Sequence, residues 1–283
     1  MKELWSMMPV WLRAILVGVV LLYPPLILTA IPIDLNIELI LPSIPWSFPV
    51  IVALLWLFWR FTTGQPKPFN RSAERTRLSR HNEVKTENLS WIAAASVALL
   101  IMTYSLMQVG VLLGNFEDLA MAKRIGVFNQ VQPYMAIFLF LGISLSAGVI
   151  EEIAFRGYLQ TMLTENYGVF VSFLLIAILF WLAHGLPLLL AIPFMLVSIG
   201  YSLLAESCDA IMPVIVTHVV IDFVIYLLGY LGLIYTLEHI AYSVFTDGIN
   251  ISFITYLAIA IVSAIVIWFA CRVKLRGMQV ANG

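Results

Sequence analysis

Three stretches of the sequence carry residues that could do chemistry, and each is set in apolar surroundings. The first is Glu151-Glu152-Ile153-Ala154-Phe155-Arg156-Gly157-Tyr158-Leu159. It places two adjacent carboxylates and a guanidinium inside a run that is otherwise apolar from about Tyr134 to Leu163. A charge at membrane depth costs roughly 2.5–3.5 kcal/mol on insertion scales, so such residues persist where something inside the membrane uses them. The second stretch is Phe180-Trp181-Leu182-Ala183-His184-Gly185, in which His184 closes an apolar helix. The third is Thr217-His218-Val219-Val220-Ile221-Asp222, in which His218 and Asp222 are spaced i, i+4.

Helix geometry divides the roles. Adjacent residues diverge by about 100°, so Glu151 and Glu152 cannot face one point. Glu152 and Arg156 are spaced i, i+4 with the acid first, the favourable order for an ion pair. On this reading Glu152 pairs with Arg156 and fixes the helix. Glu151, on the face of Phe155, points into the bundle. His218 and Asp222 share one face of their own helix. Each piece also has a purely structural reading: a buried charge network or snorkelling side chains for the first, a hydrogen-bonded core histidine for the second, and a His–Asp bond between helices for the third. Brought together in a partly dry pocket, two carboxylates and two histidines suit the activation of water. A glutamate in low dielectric serves as general base, a neighbouring histidine shares the proton, and the second histidine donates to a developing oxyanion. There is no G-x-S-x-G, and neither cysteine lies beside a histidine.

The elements that must position these residues follow from composition. Of 283 residues, 62% are hydrophobic and only 11% charged, against about 25% charged in soluble domains. The chain therefore reads as an all-α, polytopic membrane helix bundle in one domain. A span needs about 20 apolar residues. Candidates are Trp11–Ile31, Ile44–Phe61, Trp91–Leu113, Gln132–Leu163, Gly168–Gly185, Leu188–Ala205, Met212–Ile234 and Ile251–Cys271, which makes about eight transmembrane helices. Asp34, Asn36 and Glu38 fall in a short loop, and Asn115–Gln130 reads as an interfacial helix. Residues 63–90, with Lys67, Arg71, Arg75, Arg77, Arg80 and Lys85, read as a solvated, basic cytoplasmic loop in which His81 is exposed; a surface for anionic lipid is the alternative. Basic residues then lie almost wholly on one side, which puts both termini in the cytoplasm. Cys208 and Cys271 fall at cytoplasmic helix ends, so no disulfide is expected. A net charge of −1 gives no pull toward nucleic acid. At about 1.5 Å per residue, Glu151 and His184 lie roughly 22 and 27 Å from a turn near Asn166, and His218 roughly 14 Å from a turn near Asp209. The three can meet if the first hairpin projects beyond the bilayer.

The three pieces together resemble the CAAX protease and bacteriocin-processing family (CPBP, or Abi), a family of glutamate-dependent intramembrane proteases and their relatives. Its first motif, two glutamates followed after three residues by arginine, matches Glu151, Glu152 and Arg156. Its second, Phe with His four residues later, matches Phe180 and His184. Its third, His with Asn or Asp four residues later, matches His218 and Asp222. The resemblance covers about residues 133–235, read as the catalytic core. It implies that Glu151 and His184 activate the hydrolytic water, that His218 and the residue at 222 form the oxyanion hole, and that Glu152, Arg156 and Phe180 support them. It implies no cofactor, and as partners a peptide or membrane-protein substrate and the lipid bilayer. A bacterial inner membrane follows as the location. In the eukaryotic CAAX-processing branch position 222 is Asn, an amide donor. Asp222 donates only when protonated, so the expectation is that it orients His218.

The reading that follows is an intramembrane endopeptidase working without metal. A zinc version of the same residues lacks H-E-x-x-H and must use glutamates that splay apart. A non-catalytic scaffold or immunity-type protein would bind a peptide partner in the same pocket. A transporter would use the acids as a proton relay.

Overall fold

The computed structural model describes residues 5, 7–38, 43–113, 131–233 and 243–281, and every regular element among them is helical. The helices are α1 (Val10–Glu38), α2 (Ser47–Thr62), α3 (Ala73–Leu78), α4 (Leu89–Leu113), α5 (Pro133–Glu152), α6 (Gln160–Tyr167), α7 (Val169–Ala183), α8 (Ala191–Cys208), α9 (Ile211–Tyr230), α10 (Val244–Asp247) and α11 (Ile251–Ala281). A π-helical segment, Ile153–Leu159, joins α5 to α6 without a break. Among the described residues six helical stretches are long and apolar enough to cross a membrane: Val10–Glu38, Thr86–Leu113, Pro133–Tyr167, Leu188–Cys208, Ile211–Tyr230 and Ile251–Cys271. The other two expected spans are the apolar helices α2 and α7, which at 16 and 15 residues fall short of the roughly 20 that a span needs. The expected interfacial helix at Asn115–Gln130 lies outside the described residues.

The long helices are apolar nearly all round, as burial against neighbours on one side and hydrocarbon on the other requires. Val20, Ile27, Phe170, Ile192, Val216 and Phe269 point outward. Inside, α5 packs on α9, α2 packs on α5, and α1 covers the π-helical segment. A second group pairs α4 with α11. Helix α8 touches α4, α7, α9 and α11 and ties the two groups together. One glycine sets the closeness of the central pair. A Cβ on Gly148 of α5 would stand 2.6 Å from Val219 Cγ2, 3.1 Å from Val219 N and 3.3 Å from Ile215 O of α9.

Two loop expectations are corrected. Helix α1 continues past Ile31 through Asp34, Asn36 and Glu38. Asn36 is fully buried, donates from Nδ2 to Ile44 O at 2.9 Å and accepts from Ser47 N at 3.1 Å. It thereby satisfies backbone groups at the start of α2. Residues 63–90 are not simply solvated. Ser72 caps α3 by accepting from Arg75 N. Arg80 is buried and reaches Thr161 Oγ1 (3.1 Å), Ala205 O (3.2 Å) and Glu206 Oε2 (2.6 Å). Its own carbonyl accepts from Ile211 N at 2.9 Å. His81 is half-buried and sits edge-on to Trp59 at 5.0 Å. Burial holds its imidazole below the ordinary value. The polar segment is thus packed onto α6, α8 and the start of α9.

Candidate active site

Helix α5 delivers Glu151 and Glu152 in its last turn, and the π-helical segment delivers Arg156. A π turn is a costly local widening of a helix, found mostly at functional sites. Here it is braced from outside. Tyr158 Oη donates to Thr62 O at 2.7 Å. Gly157 lets the backbone of Ser79 approach, since a Cβ there would meet Ser79 Cα at 3.2 Å. Just beyond, Gln160 Nε2 donates to Ser202 O and Glu206 Oε2, both at 3.1 Å.

The expected pairing of Glu152 with Arg156 is present, with Arg156 Nη1 donating to Glu152 Oε1 at 3.0 Å and both side chains fully buried. Arg156 Nη2 continues to Ser198 Oγ (2.9 Å) and Ser198 O (3.2 Å) on α8. Its guanidinium lies 4.6 Å from the Phe180 ring and 5.0 Å from the Tyr201 ring. Two aromatic rings thus contribute cation–π attraction to a charge closed off from bulk solvent.

Glu152 has a further partner that spacing did not reveal. His218 Nδ1 donates to the same Glu152 Oε1 at 2.6 Å. The other ring nitrogen, Nε2, lies 3.5 Å from Asp222 Oδ2. The His–Asp spacing therefore does place Asp222 against His218, and the shorter contact is to Glu152. One residue before His218, Thr217 donates to Pro213 O at 2.7 Å, so in its 2.7 Å contact with Ser96 the serine is the donor.

Glu151 faces a different neighbour. Its Oε2 lies 3.8 Å from His184 Nε2. His184 is the residue at which α7 ends, and its Nδ1 donates to Phe180 O at 2.7 Å. That bond fixes the tautomer, leaving the Nε2 lone pair toward Glu151. Phe180 also packs against His184 at 4.4 Å and against Phe155 at 5.3 Å. The expected face shared by Glu151 and Phe155 thus meets the second motif.

All seven residues picked out in sequence, Glu151, Glu152, Arg156, Phe180, His184, His218 and Asp222, fall into one connected cluster. Exposure divides it. The side chains of Glu152 and Arg156 are closed off, and that of His218 is 6% exposed; Glu151, Asp222 and His184 retain 12, 21 and 30%. Ser198 and Tyr201 complete the cluster. They belong to no motif, and their one sequence signal is polarity within the apolar helix α8. Among the described residues no group of three or more His, Cys, Asp and Glu side chains is disposed to hold a metal ion. Cys208 and Cys271 are free thiols.

No curated protein and no solved structure matches the chain. Residues 133–224 match the family model described as Rce1-like, type II CAAX prenyl endopeptidase Rce1-like. The matched segment runs from the first residue of α5 to within α9 and contains all seven residues of the cluster. With its apolar helices the chain is an integral membrane protein, and the segment 133–224 of its helical core is similar to the CAAX prenyl endopeptidase family.

Proposed function

We propose that the protein is an intramembrane endopeptidase that cleaves a peptide bond of a membrane-associated peptide or protein with a water activated by Glu151 and His184. The observation that carries this reading is the 3.8 Å separation of Glu151 Oε2, a buried oxygen with no hydrogen-bond partner among the described residues, from His184 Nε2. That gap is too long for a direct hydrogen bond and suits a water touching both groups. Glu151 takes a proton from the water as its oxygen attacks the scissile carbonyl, and the C–O bond forms as the carbonyl π electrons move to oxygen. His184, held by Phe180 O, accepts from the water and shares the proton. As the C–N bond breaks, that proton passes to the departing amine. His218 faces the developing oxyanion. Its Nδ1–H is held by Glu152, and its Nε2, only loosely placed at 3.5 Å from Asp222, is left to donate to the oxyanion. Glu152 and Arg156 hold that ring in place, and Asp222 orients it.

The chemistry uses no metal or cofactor. Both termini in the cytoplasm fit the distribution of basic residues, and the family resemblance suggests a bacterial inner membrane and a peptide or protein substrate. The test compares wild type with Glu151→Gln and His184→Ala, matched for expression and for thermal unfolding in detergent. The readout is cleavage of fluorophore-quencher peptides that end in farnesylated Cys plus three residues, or in the same sequence without the lipid. Loss of cleavage in both folded variants is expected. Full biological function in Glu151→Gln would replace hydrolysis with binding of a peptide partner in the same pocket.

A further inference from the structure

The two histidines are connected by a column of stacked groups that no motif spells out. His184 packs on Phe180 at 4.4 Å. Phe180 lies 4.6 Å from the Arg156 guanidinium, which lies 5.0 Å from the Tyr201 ring. Tyr201 in turn stacks on His218 at 4.9 Å with only 24° between the ring planes. Five side chains from the π-helical segment, α7, α8 and α9 thus form one continuous pile with a histidine at each end.

We infer that Tyr201 is a positioning residue for His218, and that its ring, rather than its hydroxyl, sets the plane of the imidazole and its distance from His184. This rests on the glutamate–histidine reading above. Hydrogen bonds alone leave that plane underdetermined. Glu152 Oε1 fixes one ring atom at 2.6 Å, and the contact of Nε2 with Asp222 at 3.5 Å is loose. A ring pinned at one nitrogen still rocks about that bond. A flat, fully buried aromatic face stacked on it removes this motion. The same ring attracts the Arg156 cation, so Tyr201 locks the two donors of Glu152 relative to each other. Its hydroxyl makes no hydrogen bond to a described residue, whereas the ring contacts are two. Tyr201 acts here through His218 and Arg156, as a positioning residue.

The test uses the full chain in detergent, as Tyr201→Phe, Tyr201→Leu and Tyr201→Met, with Glu151→Gln as the control. The chain has four histidines, so ¹⁵N-histidine labelling gives a spectrum in which single-site variants assign His218. Tyr201→Phe is expected to keep the His218 nitrogen shifts, and kcat on the farnesylated and unmodified peptides. Tyr201→Leu and Tyr201→Met are expected to broaden or move the His218 signals and to lower kcat by about a hundred-fold, the scale of a small misplacement of a reacting group, with KM little changed. An equal loss in Tyr201→Phe would assign the role to the hydroxyl and overturn the inference. So would unchanged His218 signals in both aliphatic variants. Two aliphatic side chains of different shape guard against one that does not fold. If Glu151→Gln still cleaves, the hydrolytic reading fails while the His218 spectrum still decides the role of Tyr201.

Discussion

Replacing Gly148 by alanine perturbs the site without touching any of its polar groups. The added methyl would stand 2.6 Å from Val219 Cγ2, 3.1 Å from Val219 N and 3.3 Å from Ile215 O. Valine in a helix has one strongly preferred rotamer, so the side-chain clash is relieved only at a cost. The backbone contacts cannot rotate away at all. The nearer backbone atom lies about 0.3 Å inside ordinary van der Waals contact, so α9 must retreat from α5 by at least that much. Overpacking of this kind costs about 1–3 kcal/mol. The retreat falls on the 2.6 Å bond from His218 to Glu152, because Gly148 lies one turn before Glu152 and Val219 is next to His218. A loss of about 1.4 kcal/mol from that alignment lowers the rate by about tenfold. The assay pairs thermal unfolding in detergent with peptide cleavage, and adds Gly148→Ser, whose similar bulk should act alike. Wild-type stability and wild-type cleavage in Gly148→Ala would refute the argument that this helix crossing fixes the distance between the two motifs.

Other perturbations probe the remaining parts. Arg156→Ala leaves the Glu152 carboxylate buried without its guanidinium and should lose about 3–5 kcal/mol, read as a fall in unfolding temperature; Arg156→Lys should recover only part, because an ammonium lacks the fork that reaches both Glu152 and Ser198. Asp222→Asn keeps an acceptor toward His218 and adds an amide donor, so kcat should stay within about tenfold; a complete loss would mean that the carboxylate charge itself is needed. Burial depresses the pKa of His81 below 6.5, so the folded chain binds fewer protons there than the unfolded one. The stability from His81 is therefore complete above about pH 6.5 and is lost as pH falls below it. His81→Phe keeps a ring on Trp59 and should flatten that part of the unfolding-versus-pH curve; an unchanged curve would remove His81 as its source.

Helical class and site membership were legible in sequence for one physical reason: charge in an apolar run is costly, so each exception carries information. Glu151, Glu152, Arg156, His184, His218 and Asp222 are such exceptions. Spacing also yielded the Glu152–Arg156 pair, because i, i+4 neighbours meet within one helix. It could not yield the bond from His218 to Glu152, which depends on how closely α5 and α9 approach, nor the stacking of Tyr201, which depends on where α8 crosses. The π turn was hidden because its identity lies in backbone bonds rather than residue type. Of the eight expected spans, six reach crossing length among the described residues, and the other two, α2 and α7, are apolar but shorter. Arg80 was read as one more solvated cation because basic residues near a membrane usually are. Its burial follows from three partners on α6 and α8 that lie 81 to 126 residues away in sequence.

The adjacent glutamates show how one helix turn makes two different acids. Their side chains diverge by about 100°, and that divergence decides which can meet a substrate. Glu152 turns inward, where a single oxygen receives donors from Arg156 and His218. Its charge is already matched, and its side chain is closed off from solvent. Glu151 turns toward the open side, where no cation touches it and its neighbour is an imidazole nitrogen with a free lone pair at 3.8 Å. In the proposed mechanism the base must take a proton from something that can enter and leave, and of the two glutamates Glu151 is the one with a partly exposed side chain. Exchanging the two roles would need a rotation of the last turn of α5. The Tyr158–Thr62 bond and the approach of Ser79 to Gly157 oppose that rotation from outside the family-matched core. The polar segment packed on the π turn thus helps decide which of two neighbouring carboxylates faces His184 and which faces His218.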